Sequence, residues 1–247
     1  MKKIIAIVLL IIFLTTTNIV FASPENKYGK AQTPPFPQPT EKDLQKVIFI
    51  RYAPGKEPIC NNNGVCEKGE NPGKCPNDCK KGNEEPTSES ACYAFLSGAS
   101  PKWNSPEDYY YNTTDLGNTA DWATGIWNNA VTATIFGIGL SGSYPWGKYD
   151  YRNALSYDDY SDPNVVAVTA IWFRAKTIYE YDIMFDTNYF PGLDLDTVAL
   201  HEFGHAAGLD DLYESQCQDE VMYGYYQEGK TTLGEGDRVG IQLLYGL

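Results

Sequence analysis

Apolar positions along this chain change period several times, and each period predicts a different element. From Thr119 to Thr134, Trp122, Ile126 and Ala130 recur at helical spacing, with Ala123, Trp127 and Val131 alongside. That stripe predicts a long amphipathic helix. Val165 to Phe173 is β-branched and apolar, and Thr177 to Asp186 alternates; both predict strands, as does Tyr109–Tyr111. Thr197-Val198-Ala199-Leu200 belongs to a helix from about Asp196 to Ala207, which Gly208 stops, and a last helix runs over Glu235–Tyr245. Val47–Tyr52 has strong strand propensity. It reads either as an isolated strand of a pro-segment or as a strand that docks on a neighbour. Strands first, with helices on one side of the sheet, predict an α+β fold.

Ahead of this globular region the texture differs. Lys2-Lys3 precede an apolar run from Ile4 to Leu14, and Val20-Phe21-Ala22 ends in a small residue, so residues 1–22 read as a signal peptide. Thr15-Thr16-Thr17-Asn18 interrupts the run well short of a membrane span. The mature chain is therefore expected to be secreted, into an oxidising compartment where its 6 cysteines can pair. Residues 23–59, with Thr33-Pro34-Pro35-Phe36-Pro37-Gln38-Pro39, form a Pro-rich spacer or pro-segment. Residues 60–79 carry Cys60, Cys66, Cys75 and Cys79 among turn formers, which predicts a small disulfide-rich module with its pairing open. A structural zinc site is the alternative there, and its Asn, Asp and Glu side chains could gather around calcium. Residues 80–90, opening on Lys80-Lys81, are a linker, and 91–247 are the main domain. The net charge of −13 argues against nucleic acid and anionic membrane as partners once the signal is removed, and the chain is expected to be a monomer.

The chemistry concentrates in His201-Glu202-Phe203-Gly204-His205-Ala206-Ala207-Gly208-Leu209-Asp210-Asp211, which holds both histidines of the chain. Histidines four apart on a helix project from one face, so both imidazoles can reach one ion, and Glu202 can touch a water on that ion without ligating it. Zinc needs a third protein ligand and one open position. No histidine remains to supply it. Gly208 ends the helix and lets the chain return beneath the metal, which favours Asp211 over its neighbour Asp210.

These residues resemble the metzincins, specifically a matrixin-like catalytic domain, with Asp211 where most members carry histidine; that departure resembles the bacterial snapalysins. Glu220-Val221-Met222-Tyr223-Gly224-Tyr225 follows at matrixin distance, with Met222 as the Met-turn residue, and Leu233–Gly246 is similar to the matrixin C-terminal helix. The resemblance implies a zincin-like α+β domain with a twisted five-stranded mixed sheet, mostly parallel with one antiparallel edge, and three helices. It implies a cleft beside an edge strand within Val165–Phe173, where a protein or peptide substrate adds as an extended strand. Glu202 would be general base and then acid toward the water at the zinc. Tyr223, Tyr225 and Tyr226 would line the pocket for the side chain after the scissile bond.

Two family features are missing: spare histidines for a structural zinc, and a cysteine-switch segment ahead of the domain. Cys92 and Cys217 remain once the module is closed, and read as a disulfide, or else as a free thiol able to reach the zinc. The acidic, tyrosine-rich loop Tyr149–Asp162 is a candidate for calcium, with a solvated loop as the alternative. The expectation is a secreted zinc endopeptidase. A catalytically silent binding protein on the same fold, or a zinc amidase on a cell-wall-type amide, are the rivals.

Overall fold

A computed structural model describes residues 39–57, 92–98, 100–190 and 192–247. The expected signal peptide, the cysteine module and the linker lie outside the described residues. Pro39–Leu247 form one compact unit.

Its strands are β1 (Gln45–Tyr52), β2 (Glu107–Tyr111), β3 (Phe136–Ser141), β4 (Asn153–Asp158), β5 (Val165–Arg174) and β6 (Thr177–Asp186). Its helices are α1 (Thr114–Asn129), α2 (Leu195–Ala206) and α3 (Glu235–Tyr245). One mixed sheet runs β1-β5-β6-β4-β2-β3. β3, β2, β4 and β6 are mutually parallel, and β5 is antiparallel to β6. Those five strands and three helices make the expected α+β domain. The sixth strand is a departure: β1, from the leader, pairs antiparallel along the whole free edge of β5.

The helices cover one face. Leu116, Ala120, Ala123 and Trp127 of α1 pack with Val198, Ala199 and Phe203 of α2 into the main core. Trp127 Nε1 donates to Leu200 O at 2.9 Å, so the largest core side chain leaves no donor unpaired. On the opposite face, Val165, Val168 and Met184 form a small cluster closed by Ile50, Tyr52, Trp146 and Tyr160.

Three expectations are corrected. The first helix runs Thr114–Asn129 rather than Thr119–Thr134, because its buried stripe is Leu116, Ala120, Ala123 and Trp127 while Trp122, Ile126 and Ala130 lie on a half-buried flank. β3 and β4 were implied only by the five-stranded sheet of the resemblance, and no sequence pattern located them. Tyr149–Asp162 is not wholly a loop, since β4 crosses it between β2 and β6. Asn153 opens β4 by acting as a rung: its amide donates to Asp108 O at 2.8 Å and accepts from Tyr181 N at 3.0 Å. Three carboxylates of that stretch are engaged within the chain: Asp162 accepts from Asn164, Asp158 from Asp159 N and Asp159 from the Asn188 amide, whereas Asp150 Oδ1 is buried without a hydrogen-bond partner among the described residues.

Candidate metal centre

α2 starts at Asp194, whose carboxylate accepts from Asp196 N at 3.2 Å and from the Thr197 hydroxyl at 2.6 Å. This cap fixes the helix phase. His201 and His205 then lie one turn apart on its buried face, ring centroids 4.7 Å apart. Gly208 takes φ +101, a conformation that a side chain would strain, and a Cβ there would lie 2.3 Å from Pro101 O. The chain turns back at this point and brings Asp211 beneath the histidines.

His201 Nε2 lies 3.2 Å and His205 Nε2 3.6 Å from Asp211 Oδ1. Ligands at zinc distances in a tetrahedron stand roughly 3.3 Å apart, close to both of these separations, and the three ligand atoms all lie within 4.8 Å of one another, as a zinc site requires. Each remaining ring nitrogen is held by a carbonyl: His201 Nδ1 donates to Val221 O at 2.8 Å and His205 Nδ1 to Leu209 O at 3.1 Å. A carbonyl only accepts, so both imidazoles keep their proton on Nδ1 and present the Nε2 lone pair inward. Asp211 Oδ1 has no hydrogen-bond partner, while Oδ2 accepts from the Tyr213 hydroxyl at 3.0 Å. Among the described residues this is the one group of three side chains able to hold a metal ion. Asp210 is turned to another task, accepting from Asp211 N at 2.8 Å.

Electrostatics agree with a metal-binding donor set. Burial pushes His205 down to about 4 and lowers His201, with Arg51 adding to the second shift, so both rings are neutral and ready to ligate. Burial alone would raise Asp211, but its surroundings, with the Arg51 cation among them, outweigh it and hold the carboxyl well below its usual range.

Glu202 is fully buried beside this group. Thr169 of β5 donates to its Oε2 at 2.5 Å, and Oε1 has no hydrogen-bond partner among the described residues. Burial raises its pKa. Met222 is buried under the centre, with its sulfur where a Cβ on Gly204 would come within 2.2 Å. Tyr223 and Tyr213 each meet Tyr225 edge-on at 5.5 Å, and the Tyr226 hydroxyl accepts from Asp194 N at 3.4 Å. Cys92 and Cys217 form a disulfide, Cα atoms 5.2 Å apart.

Three contributors escaped sequence reasoning. Asp237, in the first turn of α3, accepts from Val221 N at 2.6 Å and Met222 N at 3.1 Å, so it tethers the segment whose carbonyl holds His201. An acid at the third helical position was its only signal. The others come from β1: Phe49 stacks on the His205 ring at 3.7 Å and 8°, and Arg51 is buried nearby. In an edge strand residues two apart share a face, and Val47, Phe49 and Arg51 are the inward set.

Residues 140–246 match the matrixin family model, from the end of β3 through α3. This region is similar to the matrixins. Over 60 residues, 22% of this chain and 10% of that protein, it is 43% identical to matrix metalloproteinase-25 of Homo sapiens. Matrix metalloproteinase-2 of Drosophila melanogaster is 38% identical over 76 residues, 30% of this chain and 9% of the relative. The hatching enzyme of Paracentrotus lividus is 31% identical over 103 residues, 41% and 17% respectively. The matches thus span no more than 17% of these relatives' own length. For the matrixin-like domain the family implies zinc, and the donor set above is the one that fits it.

Proposed function

We propose that the chain is a secreted, zinc-dependent endopeptidase. The observation that carries this reading is the convergence of His201, His205 and Asp211 with the buried carboxylate of Glu202 one residue along the same helix. The signal-like pattern of residues 1–22 supports secretion, and among the described residues no helix is long and apolar enough to cross a membrane.

Bound zinc supplies a Lewis acid that activates water and stabilises the developing oxyanion. His201, His205 and Asp211 would hold it, with Met222 packed against Gly204 of the same helix. The Thr169 hydroxyl occupies Oε2 of Glu202, which leaves Oε1 to take a proton from the attacking water. The same oxygen then returns that proton to the leaving amine. Burial raises the basicity of this carboxylate, which suits it to the exchange. Substrate would lie along β5 as an added strand, on the edge that β1 covers in this structure, near Tyr213, Tyr223, Tyr225 and Tyr226. That the edge of β5 accepts an extended segment supports a peptide over a compact amide.

The test combines metal content with cleavage of a peptide library. Wild type and Glu202→Ala are expected to carry one zinc per chain, whereas Asp211→Ala loses it. Cleavage is expected to fall by about 10²–10⁴-fold in Glu202→Ala and to vanish with a chelator. A wild-type chain that binds no zinc, or cleavage that survives both treatments, would overturn the reading.

A further inference from the structure

Asp211 differs from the two histidines in a way that bears on the open position of the centre. A carboxylate carries two oxygens, and either can meet a metal ion. An imidazole whose other nitrogen is protonated offers a single lone pair. A zinc that is to hold a water takes three ligand atoms from the protein and keeps a fourth position free. If both oxygens of Asp211 turned to the ion, the second would fill the place of the water. One of them has to be kept away.

The two oxygens are in fact treated differently. Oδ1 faces the histidines, 3.2 Å from His201 Nε2 and 3.6 Å from His205 Nε2, and has no hydrogen-bond partner. Oδ2 accepts from the Tyr213 hydroxyl at 3.0 Å. Several contacts fix that phenol. Its segment runs beside the turn that follows Met222, with Leu212 N donating to Met222 O at 2.9 Å and Gly224 N to Leu212 O at 2.8 Å. Gly224 leaves room for the ring, since a Cβ there would run into it, and the Tyr225 ring meets it edge-on at 5.5 Å.

We propose that Tyr213 is a positioning residue of the metal centre: its hydroxyl occupies Oδ2 of Asp211, restricts the aspartate to one ligand oxygen and so keeps the fourth position open. The proposal rests on the zinc peptidase reading. A second effect follows from the same bond. A carboxylate in the third ligand place passes more negative charge to the ion than an imidazole does, and a donor on its far oxygen draws part of that charge away. Tyr213 thus offsets some of the Lewis acidity that is lost when aspartate stands in for histidine.

Coordination can be read without catalysis. Cobalt in place of zinc absorbs visible light strongly when four-coordinate and more weakly when five-coordinate. Infrared difference spectra on metal loading report on the carboxylate itself, whose two stretches lie further apart when one oxygen binds than when both do. Full chains of wild type and Tyr213→Phe would be compared by both methods. The phenylalanine keeps the ring against Gly224 and Tyr225 and removes only the hydroxyl. Wild type is expected to show four-coordinate cobalt and a wide carboxylate splitting. Tyr213→Phe is expected to bind one cobalt per chain with at least twofold weaker visible absorption and a narrowed splitting. In zinc-loaded chains its kcat should fall about 10–100-fold with KM nearly unchanged. Spectra that do not change in the variant, a five-coordinate wild type, or a folded variant that no longer takes up metal would each overturn the proposal. The expected spectra without peptide cleavage by either chain would instead sink the peptidase reading alone.

Discussion

Gly204 shows how little room separates the metal ligands from their support. A Cβ at this position would stand 2.2 Å from the Met222 sulfur and 2.9 Å from the Trp127 ring. One of these is flexible, but the other is locked by its hydrogen bond to Leu200 O. Gly204→Ala is therefore expected to cost about 1–3 kcal/mol of stability, as overpacking does, and to weaken zinc binding, since His201 and His205 flank the shifted turn. Urea unfolding with and without zinc checks both; an unchanged midpoint would mean that Met222 moves freely. The spacing of His201, Glu202, His205 and Asp211 could be read directly because neighbours on one helical turn are neighbours in space. Phe49 and Arg51 could not, since their partners lie some 150 positions away in sequence, and no local pattern reports a contact at that range.

Among the elements, β6 carries an unusual load. Glu180 and Asp182 are buried on it and accept backbone N–H groups from the segment that leads into β4: Glu180 from Asp150, Tyr151 and Arg152, Asp182 from Gly147 and Ala154. Burial still dominates and pushes Glu180 up to about 8 and Asp182 up to about 7. An acid whose folded pKa is raised holds its proton in the folded chain after the unfolded chain has released it. Its contribution is complete below the ordinary carboxyl range and is lost as pH rises towards 8. Stability is thus expected to fall between about pH 5 and pH 8, and Glu180→Gln should flatten the upper part of that decline. Denaturant unfolding across this range is the check; a slope unchanged in the variant would contradict it. The same segment explains why β3 and β4 were illegible. Phe136-Gly137-Ile138-Gly139 reads as a turn-rich stretch, and β4 opens on an asparagine whose side chain replaces the ladder. β5, β6, α2 and α3 were legible because their apolar period survives unbroken from end to end.

In the whole molecule, the disulfide between Cys92 and Cys217 closes a loop with a sequence separation of 125. It ties the entry of the domain to the segment between Asp211 and Met222. A closure of that length restricts the unfolded chain by roughly 5 kcal/mol in the chain-entropy view. Cys92→Ser/Cys217→Ser is expected to lose about 2–5 kcal/mol in denaturant unfolding while keeping His201, His205 and Asp211 able to bind zinc. Loss of zinc binding at temperatures where the variant is still folded would show that the bridge shapes the centre as well.

The seat of β1 also decides how this protein meets other copies of itself. Strands at the rim of a sheet are templates for foreign chains unless charge, brevity or a cover blunts them. β1 presents Gln45 and Lys46 at its exposed end and is only half-apolar along its outer face. β5 behind it is buried at every position from Val165 to Phe173. Departure of β1 would turn a guarded rim into a long sticky one. A chain without this strand would therefore be prone to pair edge to edge with other copies.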